Sequence, residues 1–229
     1  MDCTKRSYFC SWSGGKDSCL AFYHALHAGG DARCLFTMLS EEGERSRAHA
    51  LPLRILEQQA ESLGIPLVTG VASWDGYEKV FVDQLRKFKK EGIEFGVFGD
   101  IDLEEHRQWQ EKVCAVVGMD AYLPLWGRSR REIVAELVDL GFQAMIVTVN
   151  EQKMESKYLG RVIDRPLMDE LEKRGIDIAG ENGEYHTLIT DGPLFKKPLS
   201  VEVKGIESHE KHCFLKVDAH EAAPSPSDG

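Results

Sequence analysis

Residues 7 to 20 read SYFCSWSGGKDSCL, and the hydrophobic period changes in the middle of them. Tyr8, Phe9, Cys10 and Trp12 suit a buried strand. Leu20, Ala21, Phe22 and Leu26 recur at helical spacing, with Ser13-Gly14-Gly15 as the turn between. The same switch then repeats. Arg33 to Leu39 reads as a strand, and Ala48 to Leu63 as a helix striped by Leu51, Ile55, Leu56, Gln59 and Leu63 and closed by Gly64. Ile65 to Val71 is a strand, Tyr77, Val80, Phe81, Leu85 and Phe88 mark a helix ended by Gly92, and Ile93 to Phe98 is a strand. Leu103 to Val117 is helical, and Ala121 to Leu125 is a short strand. Repeated β-α alternation leaves few solutions. The expectation is an α/β fold with a mostly parallel, Rossmann-like sheet, helices on both faces and ligands at the strands' carboxyl ends.

The second half has a different pattern. Ile133, Val134, Leu137 and Leu140 give a helix, Phe142 to Val149 a strand, and Pro166 to Arg174 a helix. NGEYHTLITDGP and PLSVEVKGIESHEKHCFLKV alternate in hydrophobicity, as antiparallel strands do. The expected organisation is therefore a nucleotide-binding domain over 1–125, a smaller α+β domain over 126–218, and a disordered tail over 219–229. The tail is small, polar and proline-containing.

Lys and Arg number 28 against 38 Asp and Glu, a net charge of −10, which argues against nucleic acid or an anionic membrane held by the bulk surface. The six cysteines form no C-x-x-C pair, and the first residues lack the apolar stretch of a signal peptide. Free thiols and a cytoplasmic location are expected. The apolar runs are too short to span a bilayer.

Three segments carry candidate chemistry. The turn Ser13, Gly14, Gly15, Lys16, Asp17, Ser18 opens a helix after a strand, so backbone N–H groups and the helix dipole converge on one point. That suits an anion, with Lys16 as a mobile cation; an ordinary βα connection is the plainer alternative. The spacing is neither that of a Walker A loop nor G-x-G-x-x-G. Gly99 to Arg107, GDIDLEEHR, directly follows the Ile93 to Phe98 strand and places Asp100, Asp102, His106 and Arg107 toward the same cleft. Its alternative is a helix start, with Asp102 as N-cap and Glu105 completing a capping box. Gly180 to Thr187, GENGEYHT, gathers Glu181, Glu184 and His186, which could move protons or hold an amine. Against that, Asn182-Gly183 is a hairpin-turn signal. Arg128, Arg130 and Arg131 read as a solvated helix start.

SGGKDS matches the pyrophosphate loop of the N-type ATP pyrophosphatases, and almost the whole chain resembles their diphthine–ammonia ligase branch. That resemblance extends through Gly99, Ile101, Arg107, Glu111 and Cys114, then Leu123 to Trp126 (LPLW), Leu159 to Arg161 and the intact turn Asp191 to Phe195. It implies a nucleotide-hydrolase (HUP-type) domain that cleaves ATP between its α and β phosphates. Ser13 to Ser18 would take pyrophosphate, and Met38 and Leu39 at a strand end would hold adenine. Asp17 would act through Mg²⁺ or hold the loop, with a helix-dipole role as its alternative. Asp100, His106, Arg107 and Glu111 would face the acceptor, and Lys16, Glu181, Glu184 and His186 would carry catalysis.

Two departures concern the acceptor. Leu103, Glu105, His106 and Trp109 replace the Ser, Tyr, Gln and Arg of the founding ligases, and the late box has Asn182 and His186 where they have Gly and an acid. The E-N-G-E-Y-H-T form resembles a bacterial branch linked to corrinoid (cobalamin) salvage. The implied activity is adenylation of a carboxylate, then amidation by ammonia with release of AMP and pyrophosphate. The acceptor would be a corrinoid or another small or protein-borne carboxylate, and an oligomer is compatible with all of this. An ATP-binding sensor on the same fold, and a true diphthine ligase acting on elongation factor two, are the alternatives.

Overall fold

The computed structural model describes residues 2–46 and 49–219. Five strands form a parallel sheet: β1 (Ser7–Ser11), β2 (Asp31–Leu39), β3 (Leu67–Val71), β4 (Phe95–Val97) and β5 (Asp120–Tyr122), in the order β3-β2-β1-β4-β5. Helices α1 (Lys16–His27), α2 (Leu53–Leu63), α3 (Tyr77–Lys90) and α4 (Glu104–Val116) make the crossovers. Central β1 is buried on both faces, as its unbroken apolar run requires. Tyr8 packs against Phe22 and Phe95, while Phe9, on the opposite face, meets Phe36, Phe81, Phe88 and Phe98. Strand order reverses between β1 and β4, so the crevice for a ligand opens at their carboxyl ends, beside the Ser13–Ser18 turn.

The second sheet is antiparallel, in the order β7-β6-β9-β8, with β6 (Gln143–Asn150), β7 (Tyr185–Asp191), β8 (Val201–His209) and β9 (His212–Ala219). Helices α5 (Arg130–Asp139) and α6 (Arg165–Lys173) accompany it. The α/β expectation of a parallel sheet plus a smaller antiparallel unit is what the structure has. One apolar core runs through both sheets, from Tyr8 and Leu20 to Ile146, Leu188 and Val217. All six cysteines are free and buried. No helix among the described residues is long and apolar enough to cross a membrane.

Several local expectations are corrected. Helix α2 starts at Leu53, not Ala48, because Pro52 stands at its N-cap and biases the residue before it away from helix; Ala48 itself lies outside the described residues. Asp102 does not cap α4. The N-cap is Leu103, and the Asp102 carboxylate is taken by Arg130. Arg130 is therefore not a solvated helix residue. Asn182-Gly183 is no hairpin turn: Gly183 has φ +77°, but the loop before it is not a strand, and β7 pairs with distant β6. Of the tail, Ala219 closes β9, and 220–229 lie outside the described residues.

Candidate active site

The turn after β1 is finished by the other half of the molecule. Gly15 is the extended N-cap of α1, and the Lys16 N–H donates to the Thr187 hydroxyl at 3.0 Å. The Ile189 N–H donates to the Gly14 carbonyl at 3.0 Å. Gln59, fully buried on α2, donates from Nε2 to the carbonyls of Gly14 (3.0 Å) and Ile189 (2.8 Å) and accepts from the Trp12 indole N–H (2.9 Å). Inside the turn the Ser13 and Ser18 hydroxyls lie 3.0 Å apart. Gly14 has φ +81°, the left-handed region that favours glycine, and a Cβ there would strike Leu51, Leu56 and Gln59. A Cβ on Gly15 would sit 2.2 Å from the His49 ring. Gly99 is equally constrained, since a Cβ would meet the Asp17–Ser18 backbone at 2.6–2.8 Å.

Lys16 is buried rather than a mobile cation at an exposed junction, being 5% exposed. Its ammonium pairs with Asp17 Oδ2 at 2.7 Å and Glu181 Oε1 at 3.4 Å. Burial opposes that charge, but the two carboxylates outweigh it and raise the Lys16 pKa. Burial lifts Glu181 to about 7 against the pull of Lys16. Asp17 is also raised by burial, and its second oxygen, Oδ1, is buried without a hydrogen-bond partner.

His49 and His186 stack at 4.7 Å between ring centroids, 27° from parallel. His49 Nδ1 lies 3.0 Å from the Thr187 carbonyl, so Nδ1 carries the proton and donates. Burial, with Lys16 nearby, holds His49 well below its usual range and brings His186 down to about 4. Both imidazoles are neutral at pH 7.

Asp17, His49 and His186 line one cavity of about 530 Å³, while Lys16 and Glu181 lie outside its lining and reach it through the Lys16–Asp17 pair. Ser13, Asp17, Ser18, His49 and His186 line its inner end. Phe36, Thr37 and Met38 from β2 line the side, and Trp74, Tyr77, Phe81 and Trp109 the aromatic mouth. Asp100 and His106 also line it; Asp100 Oδ1 contacts His106 Nδ1 at 2.8 Å, a bond that raises the His106 pKa. Other expected residues lie elsewhere. Leu39 is core, and Arg107 is occupied by Glu104, Glu111 and the face of Trp126. Glu184 is buried outside the cavity lining and accepts the Asn182 N–H at 3.1 Å, closing its own loop.

Thus the structure brings Ser13, Asp17, Ser18, Met38, Asp100, His106 and His186 together around the cavity, joins Glu181 to them through Lys16 from outside its lining, and leaves Leu39, Arg107, Glu111 and Glu184 aside. His49, Thr187, Gln59 and, apart from Trp109, the aromatic mouth were missed as site residues. Gln59 had a visible signal, being the polar residue on an otherwise apolar helical stripe. His49 had none.

Among the described residues no group of three or more His, Cys, Asp or Glu could hold a metal by itself. The unpartnered Asp17 Oδ1 fits a Mg²⁺ ion that arrives with phosphate oxygens as its other ligands.

Comparison with known proteins agrees with this geometry. The chain is 29% identical to the diphthine–ammonia ligase of Homo sapiens over 90% of this chain and 86% of that protein. It is 27% identical to that of Bos taurus, with the same coverage, and 28% identical to that of Danio rerio over 90% of each chain. The diphthamide synthase N-terminal domain matches residues 7–121, and the diphthamide synthase C-terminal domain matches 129–222. With both domains present in order, around one shared cavity, the chain belongs to the diphthamide synthase family.

Proposed function

We propose that this protein is an ATP-dependent, AMP-forming amide ligase, with nucleotide bound mainly by residues 1–125 and the acceptor by 126–218. The observation that carries the reading is the Lys16–Glu181 contact, which joins the phosphate-loop cation to the late acidic box beside Asp17, itself a lining residue of the cavity. A carboxylate is a poor electrophile, and adenylation gives its acyl carbon a good leaving group. The Ser13–Ser18 turn and Lys16 would stabilise charge growing on departing pyrophosphate. Phe36 and Met38 would hold adenine against the strand end. Mg²⁺, held through Asp17 Oδ1 and the phosphates, would neutralise phosphate charge. Glu181, titrating near 7, is suited to accept a proton from ammonium or from the attacking amine. His186, with its depressed pKa, would shape the site and accept a hydrogen bond rather than act as a base at pH 7.

The acceptor is a small carboxylate, and a corrinoid acid is the specific candidate. Its support is the resemblance to the bacterial branch and the altered residues 103–109 and His186. Incubation with ATP, Mg²⁺, ammonium and a panel of carboxylic acids tests the reading. The expected products are AMP and pyrophosphate, formed only when acid and ammonium are both present. ADP as product, or nucleotide binding without turnover of any acid, would replace the ligase with a kinase or a sensor.

A further inference from the structure

Arg130 ties the loop that carries cavity-lining Asp100 to the loop that carries Glu181. Its Nε and Nη2 donate to Asp102 Oδ2 and Oδ1 at 2.7 and 3.0 Å, a two-pronged grip on the loop that also carries Asp100. Its Nη1 turns the other way, to Asp177 Oδ2 at 2.5 Å and Asn182 Oδ1 at 3.3 Å. Asp177 is itself committed to the late loop. Its Oδ2 accepts the Glu181 N–H at 3.0 Å, and its Oδ1 accepts the Ala179 N–H at 3.1 Å. A continuous path therefore runs from Asp102 through Arg130 and Asp177 to the backbone of Glu181, whose carboxylate meets Lys16.

We propose that Arg130 is a positioning residue, clamping the 177–184 loop onto the Asp102 loop so that Glu181 is held against Lys16. The role assigned to Glu181 rests on the ligase reading; the clamp rests on the contacts alone. Arginine suits the task because one planar guanidinium reaches both acids with separate N–H groups, which a lysine ammonium cannot do. Released from the clamp, the loop keeps its bonds from Lys153 to the Asn182 carbonyl and from Tyr185 to the Ile178 carbonyl, but it is freed from the Asp102 loop and Glu181 should move toward water.

The test reads Glu181 without any substrate. Its carboxyl carbon is followed by ¹³C NMR against pH in the full chain, with Glu181→Gln assigning the signal. The charged groups around it are Lys16 and Asp17 on α1, Arg130 on α5, His106 on α4 and Asp177 in its own loop, with Tyr185 on β7 beside Lys16. The wild-type midpoint should lie near 7. In Arg130→Lys, which keeps the positive charge, it should fall by a unit or more toward the ordinary carboxylate range. Asp102→Asn, which keeps Arg130 and weakens its anchor, should move it the same way by less. Midpoints near 7 in both variants would overturn the clamp. A rise above 7 in either would also overturn it, showing a purely electrostatic influence. Inorganic pyrophosphate titrated into the wild type separates the two readings: failure to bind counts against the ligase, while the midpoints still decide the clamp.

Discussion

Replacing Gln59 with leucine tests whether the phosphate turn is built by both halves of the molecule. Leucine keeps much of the volume and removes three hydrogen bonds at a site with no solvent access. The Gly14 carbonyl retains its bond from the Ile189 N–H, so its loss is partial. The Trp12 indole N–H loses its acceptor Gln59 Oε1 and remains buried, because Trp12 is only 2% exposed. An orphaned buried donor costs about 1–3 kcal/mol, and each further lost bond about 1 kcal/mol. The sum is about 3–5 kcal/mol, a large share of the roughly 5–15 kcal/mol that keeps a domain folded. For a chain of this size that amounts to a Tm lower by about 10 °C. Urea denaturation should show the midpoint shifted with the m-value unchanged. Pyrophosphate affinity should fall in parallel, since the Gly14 carbonyl and β7 lose the Gln59 bridge and are joined there by the Ile189 N–H alone. A loss under about 1 kcal/mol, or full stability loss with wild-type pyrophosphate affinity, would refute the coupling of turn to second sheet.

Lys16→Ala should slow AMP formation by about a hundredfold or more, as expected for loss of a transition-state cation. Because it breaks a buried pair and strands Asp17, it should also destabilise the fold by about 3 kcal/mol, readable by thermal denaturation. Glu181 should make stability fall with pH. Its pKa is about 7 in the fold against an ordinary 4.5, so the folded state holds the extra proton between those values and loses stability as pH rises through them. Glu181→Gln should therefore gain on the wild type between pH 5 and 8 by about 2–3 kcal/mol, and a flat difference would contradict the burial argument. Glu184→Gln keeps an oxygen to accept the Asn182 N–H, so amide yield should change less than threefold while Glu181→Gln lowers it by about a hundredfold. Elongation factor bearing diphthine should release little AMP with ammonium, and efficient amidation of it would restore the founding substrate.

The parallel sheet was legible because its strands and helices follow different hydrophobic periods, and Gly64 closed α2 in the left-handed conformation as read. Boundaries slipped where a local rule outweighed the stripe, as Pro52 did at α2. Within the site, contiguous motifs were legible and cross-chain roles were not. Glu181 and Glu184 are alike in sequence and three residues apart; only the fold turns one to Lys16 and the other back to Asn182. Asp102 carried a capping signal, but Arg130, 28 residues later, offered a charged fork that won its carboxylate. Arg130 looked solvated because neither partner is near it in sequence. His49 lies in the stretch expected to start α2 but is not among the residues of its stripe, so nothing local marked it.

The Thr187 cap and the Gly14–Ile189 bond also set an order of assembly. Lys16 of the turn leaves the ribosome 171 residues before Thr187 of β7, yet its helix receives a cap only after β7 has been synthesised and docked. A nascent chain holding only the parallel sheet carries an unfinished phosphate turn, with the Lys16 N–H and the Gly14 carbonyl open to water. Closing contacts so distant in sequence is slow, because the loop-closure entropy must be met before the contact forms. On the ligase reading, competence to bind nucleotide should arrive late in folding, and fragments truncated before β7 should bind ATP poorly.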